Sequence, residues 1–141
     1  ITGKEPVAVT AHAFFSPEHD HVDMAASGLV EYPGGVALTF VCGMWAEPQQ
    51  TLEIIGSRGA IRVPVAFVSG ENDAGFYVVT GGKERFEPAE GVNIYAVQAD
   101  NFARAVFGEV PHLFPPEDAV KNMRVLEAAL SSARERRRIE L

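Results

Sequence analysis

Between Asp23 and Trp45 the chain reads DMAASGLVEYPGGVALTFVCGMW, two strand-length runs joined by a tight turn at Pro33-Gly34-Gly35. Adjacent glycines supply the positive φ angles that a short hairpin loop requires. A half-buried strand alternates apolar and polar residues, and this hairpin does not. Val36, Leu38, Phe40, Cys42 and Met44 make one face of its second run apolar; Ala37, Thr39, Val41, Gly43 and Trp45 leave the other small and nearly as apolar. In the first run Met24, Ala26, Gly28, Val30 and Tyr32 oppose Ala25, Ser27, Leu29 and Glu31. A strand uncharged on both faces is ordinarily covered on both, so the rest of the chain is read for what covers this hairpin.

Glu5–Phe14 has period-2 order, with Val7, Val9, Ala11 and Ala13 opposite Ala8, Thr10, His12 and Phe14, and reads as a strand. Ser16–Asp23 is a polar loop. Glu47-Pro48 breaks the chain, Gln50–Ile55 resumes as a strand, Gly56–Gly59 turns it, and Ala60–Val63 returns. Glu71–Gly75 is a loop, and Phe76–Thr80 with Glu84–Glu87 forms a further hairpin around Gly81-Gly82. The period then becomes helical. Over Asn93–Phe107, Tyr95, Ala99, Phe102, Ala103 and Val106 share one stripe, and Gly108 stops the helix. Pro115-Pro116, followed by Glu117 and Asp118, opens a second helix whose expected buried stripe is Ala119, Met123, Leu126, Leu130 and Ala133. Ile139–Leu141 is a short final strand.

Strands first and helices last is the α+β order. The expected fold is an open, mainly antiparallel sheet with two C-terminal helices packed on one face. At roughly 10 Å per helix, two helices cover one face of such a sheet and not both. The other face is then left for oligomer or domain contacts, because a monomer exposing that much apolar sheet tends to associate. We take residues 1–141 as one domain.

Composition narrows the partners. Of 141 residues, 47% are hydrophobic and 22% charged, with a net charge of −7, which suits a globular protein and repels a phosphate backbone. The one basic run, Arg134–Arg138, is expected on a last helical turn, where cations complement the dipole; nucleic acid is not an expected partner. Cys42 is the single cysteine, which permits no internal disulfide and suits a reducing, cytoplasmic setting; in mid-strand it is read as an inert core thiol. No apolar run reaches the ~20 residues a membrane helix needs, and no signal peptide is seen. A start at Ile1 rather than Met is expected for a piece of something longer.

Chemistry is sparse. Glu18-His19-Asp20-His21-Val22-Asp23 has metal-ligand residue types, but neighbours in an extended loop diverge and no distant ligands are evident, so no metal site is assigned. His12 in a strand reads as packed or as meeting a substrate across the sheet face; Trp45 reads as interface or as ligand wall. No Gly-x-Gly-x-x-Gly, P-loop or Gly-x-Ser-x-Gly occurs, and Gly56–Gly59 lies between strands, where it cannot cradle phosphate. No nucleophile, base and orienter set is present.

Several ordered segments nonetheless resemble one family. Gly3–Val9, Asp23–Leu29 with Tyr32–Ala37, and Leu52–Ile61 carry the likeness in the strands. Tyr95, Phe102 and Val106 carry it in the first helix, and Glu117–Ala119, Asn122, Val125–Ala128 and Ser131–Ala133 in the second. Together they resemble the C-terminal domain of the glucose-fructose oxidoreductase / inositol dehydrogenase / rhizopine catabolism (Gfo/Idh/MocA) family. The resemblance implies a full-length NAD- or NADP-dependent oxidoreductase acting on sugars, polyols or related compounds. It also implies an N-terminal Rossmann domain outside this chain, and a C-terminal sheet whose open face builds the oligomer interface and helps close the substrate site. The family's glycine-rich nucleotide loop, Glu-Lys-Pro lysine and Asp…His motif are not found here, and Lys4-Glu5-Pro6 is no substitute. No catalytic or cofactor-binding residue is therefore carried over, and the chain alone is expected to be inactive. Substrate-cavity walls are expected from His12, His19, His21 and Trp45. The alternative reading is a stand-alone ligand-binding or scaffold module.

Overall fold

The computed structural model describes residues 2–68, 70 and 74–141. The elements in chain order are β1 (Ala8–Ser16), a 3-10 turn (Pro17–His19), β2 (Val22–Glu31), β3 (Ala37–Gly43), β4 (Leu52–Gly56), β5 (Gly59–Val63), β6 (Gly75–Thr80), β7 (Lys83–Pro88), α1 (Ile94–Val106), α2 (Pro116–Glu135) and β8 (Ile139–Glu140). The α+β class and the open antiparallel pairing are as the residue pattern implied; where one sheet carrying both helices was expected, there are two sheets, and α1 and α2 fall in different units. The loop expected over Glu71–Gly75 falls mostly outside the described residues; Gly75 itself opens β6. The strands sort into two four-stranded sheets, β3-β2-β1-β8 and β4-β5-β6-β7, and the chain divides into two compact units, Ile1–Glu47 with Phe114–Leu141, and Pro48–Leu113.

In the first unit β2 and β3 form the expected hairpin. Gly34 (φ 85°) and Gly35 (φ 79°) take the left-handed conformation, and Tyr32 N–H donates to Val36 O across the loop at 2.8 Å. Cross-strand partners run Val9–Val30–Leu38, Ala11–Gly28–Phe40 and Ala13–Ala26–Cys42 on one face, and Thr10–Leu29–Thr39, His12–Ser27–Val41 and Phe14–Ala25–Gly43 on the other. The core lies on the first of these faces, where Val9, Val30 and Ala128 are buried with Tyr32, Phe40, Val125, Ala129 and Ile139 packed around them.

Helix α2 opens with Pro116 at its first turn and Glu117 and Asp118 at the positive end of its dipole. Its sheet-facing stripe is corrected by the structure in part: Ala133 of the expected stripe is buried, but most of the contact is made elsewhere. Val125, Ala128, Ala129 and Ser132, at helical spacing, meet β1, whereas Met123 (59%) and Leu126 (49%) are exposed. The expected stripe lies roughly 120° around the helix from the one used, at 100° per residue. Small side chains let the helix approach β1 closely. Ser132, fully buried, then completes the strand: its Oγ accepts from Ala11 N–H at 2.9 Å and donates to Arg137 O at 2.6 Å. β8 pairs only with Ala8 and Val9, so Ser132 takes over where that edge ends.

The basic run is also placed differently. α2 ends at Glu135, and Arg136 (φ 54°) is its left-handed C-cap. Arg138 lies beyond, bridging Glu31 (2.7 Å) and Glu140 (3.1 Å), and its hydrogen bond holds the Glu31 carboxyl below the usual carboxylate range. Cys42 is a further correction: it is exposed. It sits in the edge strand β3, while α2 lies against β1 and β8, so the helix does not shelter it.

The second unit is a β4–β7 meander and α1. Asn93 Oδ1 accepts from Tyr95 N–H and Ala96 N–H at 3.1 Å, capping α1. Gly108 (φ 74°) ends it as expected, with Glu109 N–H donating to Arg104 O. On the sheet, Arg62 lies over the Tyr77 ring and pairs with Glu84 at 2.6 Å. No described residue of α1 is buried; Tyr95, Phe102 and Val106 of its apolar stripe are exposed.

Candidate functional site

The helix-free face of the first sheet carries the candidate chemistry. Its three central rows contain Thr10, Leu29, Thr39, His12, Ser27, Val41, Phe14, Ala25 and Gly43, with no carboxylate, lysine or arginine among them. Val41 is 84% exposed at the middle of the edge strand. These rows are thus open and free of such charge, as read from the hairpin, whereas the next row on the same face, Glu140–Ala8–Glu31–Ala37, carries two carboxylates that Arg138 bridges.

At one end of this face the chain gathers aromatic and imidazole rings. β1 carries His12 and Phe14 on the same side, two residues apart. A bulge between Phe14 and Phe15 then shifts the register, sending Phe15 under the Arg134 guanidinium, 5.3 Å from its ring centroid. Ser16, 2% exposed, ends the strand, and Pro17 starts the 3-10 turn that carries His19. His19 Nδ1 lies 2.9 Å from Ser16 Oγ. From the far side of the sheet, beyond β3, Trp45 brings its ring to 5.8 Å from Phe14 and 5.9 Å from His19, the latter edge-on. Met44 N–H donates to Met24 O at 2.8 Å and fixes the start of this crossing.

Of the four residues expected at a substrate wall, the structure therefore joins His19 and Trp45, and places the exposed His12 on the same strand face as Phe14, two residues before it. His21 behaves differently. It and Asp20 take left-handed backbone angles (φ 58° and 53°), and its N–H donates to Ser16 O at 2.9 Å. It makes no side-chain hydrogen bond among the described residues. Two members of the cluster, Phe14 and Ser16, were not singled out from sequence. The signals were there: Phe14 follows His12 at the strand period, and Ser16 directly precedes the proline that turns the chain.

Edge-on and tilted ring pairs of this kind leave flat apolar surface beside polar ring nitrogens, an arrangement able to hold a ligand with an apolar side and hydroxyl groups. Among the described residues no group of three or more His, Cys, Asp or Glu converges as a metal site would. Nor do they form a dinucleotide cradle, which needs a glycine-rich turn from a strand into a helix; Gly56 and Gly59 join the antiparallel pair β4 and β5. A separate open hollow of about 500 Å³ runs along α1 between Val97, Asn101, Arg104 and Phe107, and shares no residue with the histidine cluster. No described helix is long and apolar enough to cross a membrane.

Residues 1–62 match the family model described as the GFO/IDH/MocA C-terminal domain. No curated protein matches the chain in sequence. Among solved structures, aldose-aldose oxidoreductase from Caulobacter crescentus, complexed with glycerol, is similar at 23% identity with a TM-score of 0.85, over 99% of this chain and 42% of that one. A candidate oxidoreductase from Thermotoga maritima is similar at 19% identity and a TM-score of 0.77, over 99% of this chain and 42% of that one. A candidate myo-inositol dehydrogenase from Sinorhizobium meliloti 1021 is similar at 21% identity and a TM-score of 0.69, over 98% of this chain and 44% of that one. The chain spans less than half the length of these proteins, and at such identities the likeness is one of fold. In sequence over its first 62 residues, and in fold over nearly all of its length, the chain is similar to the C-terminal domain of the Gfo/Idh/MocA family.

Proposed function

We propose that this domain forms the substrate-side wall and a subunit contact surface of an NAD- or NADP-dependent oxidoreductase acting on a sugar, polyol or related hydroxy compound. The observation that carries the reading is the pairing of the Trp45 ring with Phe14 and His19, with His12 two residues from Phe14 on a sheet face whose central rows carry no carboxylate, lysine or arginine. Aromatic rings suit the C–H face of a sugar ring, and imidazoles donate to and accept from hydroxyls. The similar Caulobacter protein is an aldose-aldose oxidoreductase and was captured with glycerol. Residues 1–141 serve as one functional domain in this reading. The nucleotide belongs to a Rossmann domain outside these residues, and no reaction step is assigned to the residues described. His21 contributes through the loop it closes. The central rows of that face are the contact surface for at least one further copy, since exposed sheet poor in charge favours association. The lone Cys42, exposed and without a disulfide partner, fits a reducing cytoplasm.

The test is kinetic. In the full-length protein, screened against a panel of aldoses and polyols, Trp45→Ala is expected to raise KM for the best substrate about tenfold, the loss of one stacking wall. The effect on kcat is expected to be smaller, because a wall that binds ground and transition states alike acts on KM. An unchanged KM would remove Trp45 from the substrate site.

A further inference from the structure

The turn between β1 and β2 holds one imidazole by a buried hydroxyl, and we propose that Ser16 is a positioning residue that fixes His19 as an Nε2–H donor toward ligand seated on Trp45. This rests on the reading of the Trp45 surface as a ligand wall and adds to it the polarity of the adjoining ring.

Ser16 is 2% exposed, and the hydrogen bond of its Oγ among the described residues is to His19 Nδ1 at 2.9 Å. A hydroxyl has one hydrogen and two lone pairs. Buried with a single partner, it satisfies its hydrogen only by donating to that partner; accepting instead would leave the O–H unpaired away from water, the costlier arrangement. Oγ–H therefore donates to Nδ1. In a neutral imidazole one nitrogen accepts while the other carries the proton. Nε2–H is then the ring's remaining polar group, and it makes no hydrogen bond among the described residues.

The backbone holds the same geometry. Ser16 O accepts from His21 N–H at 2.9 Å, closing a turn in which Asp20 and His21 are consecutive left-handed residues. L residues adopt that conformation at a cost, and strained segments gather at functional positions. With one end of the ring tied to Ser16 and its edge set against Trp45, His19 has little freedom to turn. A ligand lying on Trp45 then meets a fixed donor, which selects an acceptor oxygen, carbonyl or hydroxyl, beside the ligand's apolar face.

The experiment uses the full-length protein with 15N-labelled histidine at about pH 8, above the ordinary histidine pKa of about 6.5. NMR reads the His19 tautomer, and D-glucose and myo-inositol are titrated as probes while Trp45 emission is followed, with Trp45→Phe as the blank. The expected result is Nε2–H in the wild type. Ser16→Ala should give a mixture of tautomers and a probe Kd about five- to tenfold weaker, the effect of one misdirected hydrogen bond. Ser16→Thr, which keeps the hydroxyl, should restore both. An Nδ1–H tautomer in the wild type overturns the proposal. So does a Ser16→Ala protein whose tautomers mix while Kd stays unchanged, an outcome that leaves the Trp45 wall standing. If neither probe alters Trp45 emission, the ligand-wall reading falls and the positioning role falls with it.

Discussion

Gly28→Ala is expected to lower the unfolding free energy by about 3 kcal/mol, the upper end of the cost of overfilling a packed core. Gly28 lies at the middle of β2, between β1 and β3. A Cβ built there would stand 2.7 Å from the Phe40 ring and 2.7 Å from Thr10 O. The ring can swing away, but the Thr10 carbonyl belongs to the neighbouring strand, so the sheet itself would have to move. The sign is informative because the backbone alone argues the other way. A glycine inside a strand costs roughly 0.5–1 kcal/mol relative to alanine, so without the clash Gly28→Ala would stabilise the protein. Denaturant unfolding of the full-length protein should show a lower midpoint with an unchanged slope. Adding Phe40→Leu should recover only part of the loss, since Thr10 O stays where it was. An unchanged or raised midpoint would mean that β1, β2 and β3 are not packed as described.

Ser132→Ala should cost about 2–4 kcal/mol. It removes both hydrogen bonds of a fully buried hydroxyl, to Ala11 N–H and Arg137 O, and leaving buried polar groups without partners costs about 1–3 kcal/mol each. The effect should be local before it is global: the Ala11 amide should exchange with solvent faster, because its one partner is gone. Ser131→Ala is the control, because Ser131 makes no side-chain hydrogen bond among the described residues, and it should shift stability by less than about 0.5 kcal/mol. A Ser132→Ala protein as stable as the control would show that α2 is not fastened to β1 through this hydroxyl.

What the sequence told follows from the range over which each signal acts. The Pro33-Gly34-Gly35 turn, the Gly108 stop and the proline start of α2 are local, and each appears where the residues placed it. Period-2 order likewise identified the strands, but it does not say which strand is whose neighbour; the division into two sheets is set by pairings distant in sequence. The buried side of α2 misled for a definite reason. Met123 and Leu126 are large and apolar and look like core, whereas Ala128, Ala129 and Ser132 are small and meet the sheet because smallness allows close approach. Cys42 was read as buried from its place in a strand, but burial depends on where α2 lies, and α2 packs chiefly on β1 and β8. In the candidate site, His19 and Trp45 were visible as residue types. Their meeting, with Phe14 on the same Trp45 ring, depends on the bulge and the turn after Ser16, which no linear pattern displays.

The central claim, which goes with the proposed function, is that the helix-free face of the first sheet, whose three central rows carry no carboxylate, lysine or arginine, is covered by another copy of the protein. The mass of the full-length protein in solution, by sedimentation or light scattering, tests this most directly when wild type is compared with Val41→Lys. Val41 is 84% exposed, so the substitution should leave folding intact, while a lysine buried in a contact between copies would be strongly unfavourable. The account predicts at least a dimer for the wild type, and a shift toward monomer for Val41→Lys at an unchanged unfolding midpoint. A monomeric wild type, or a Val41→Lys protein of unaltered mass, would contradict it.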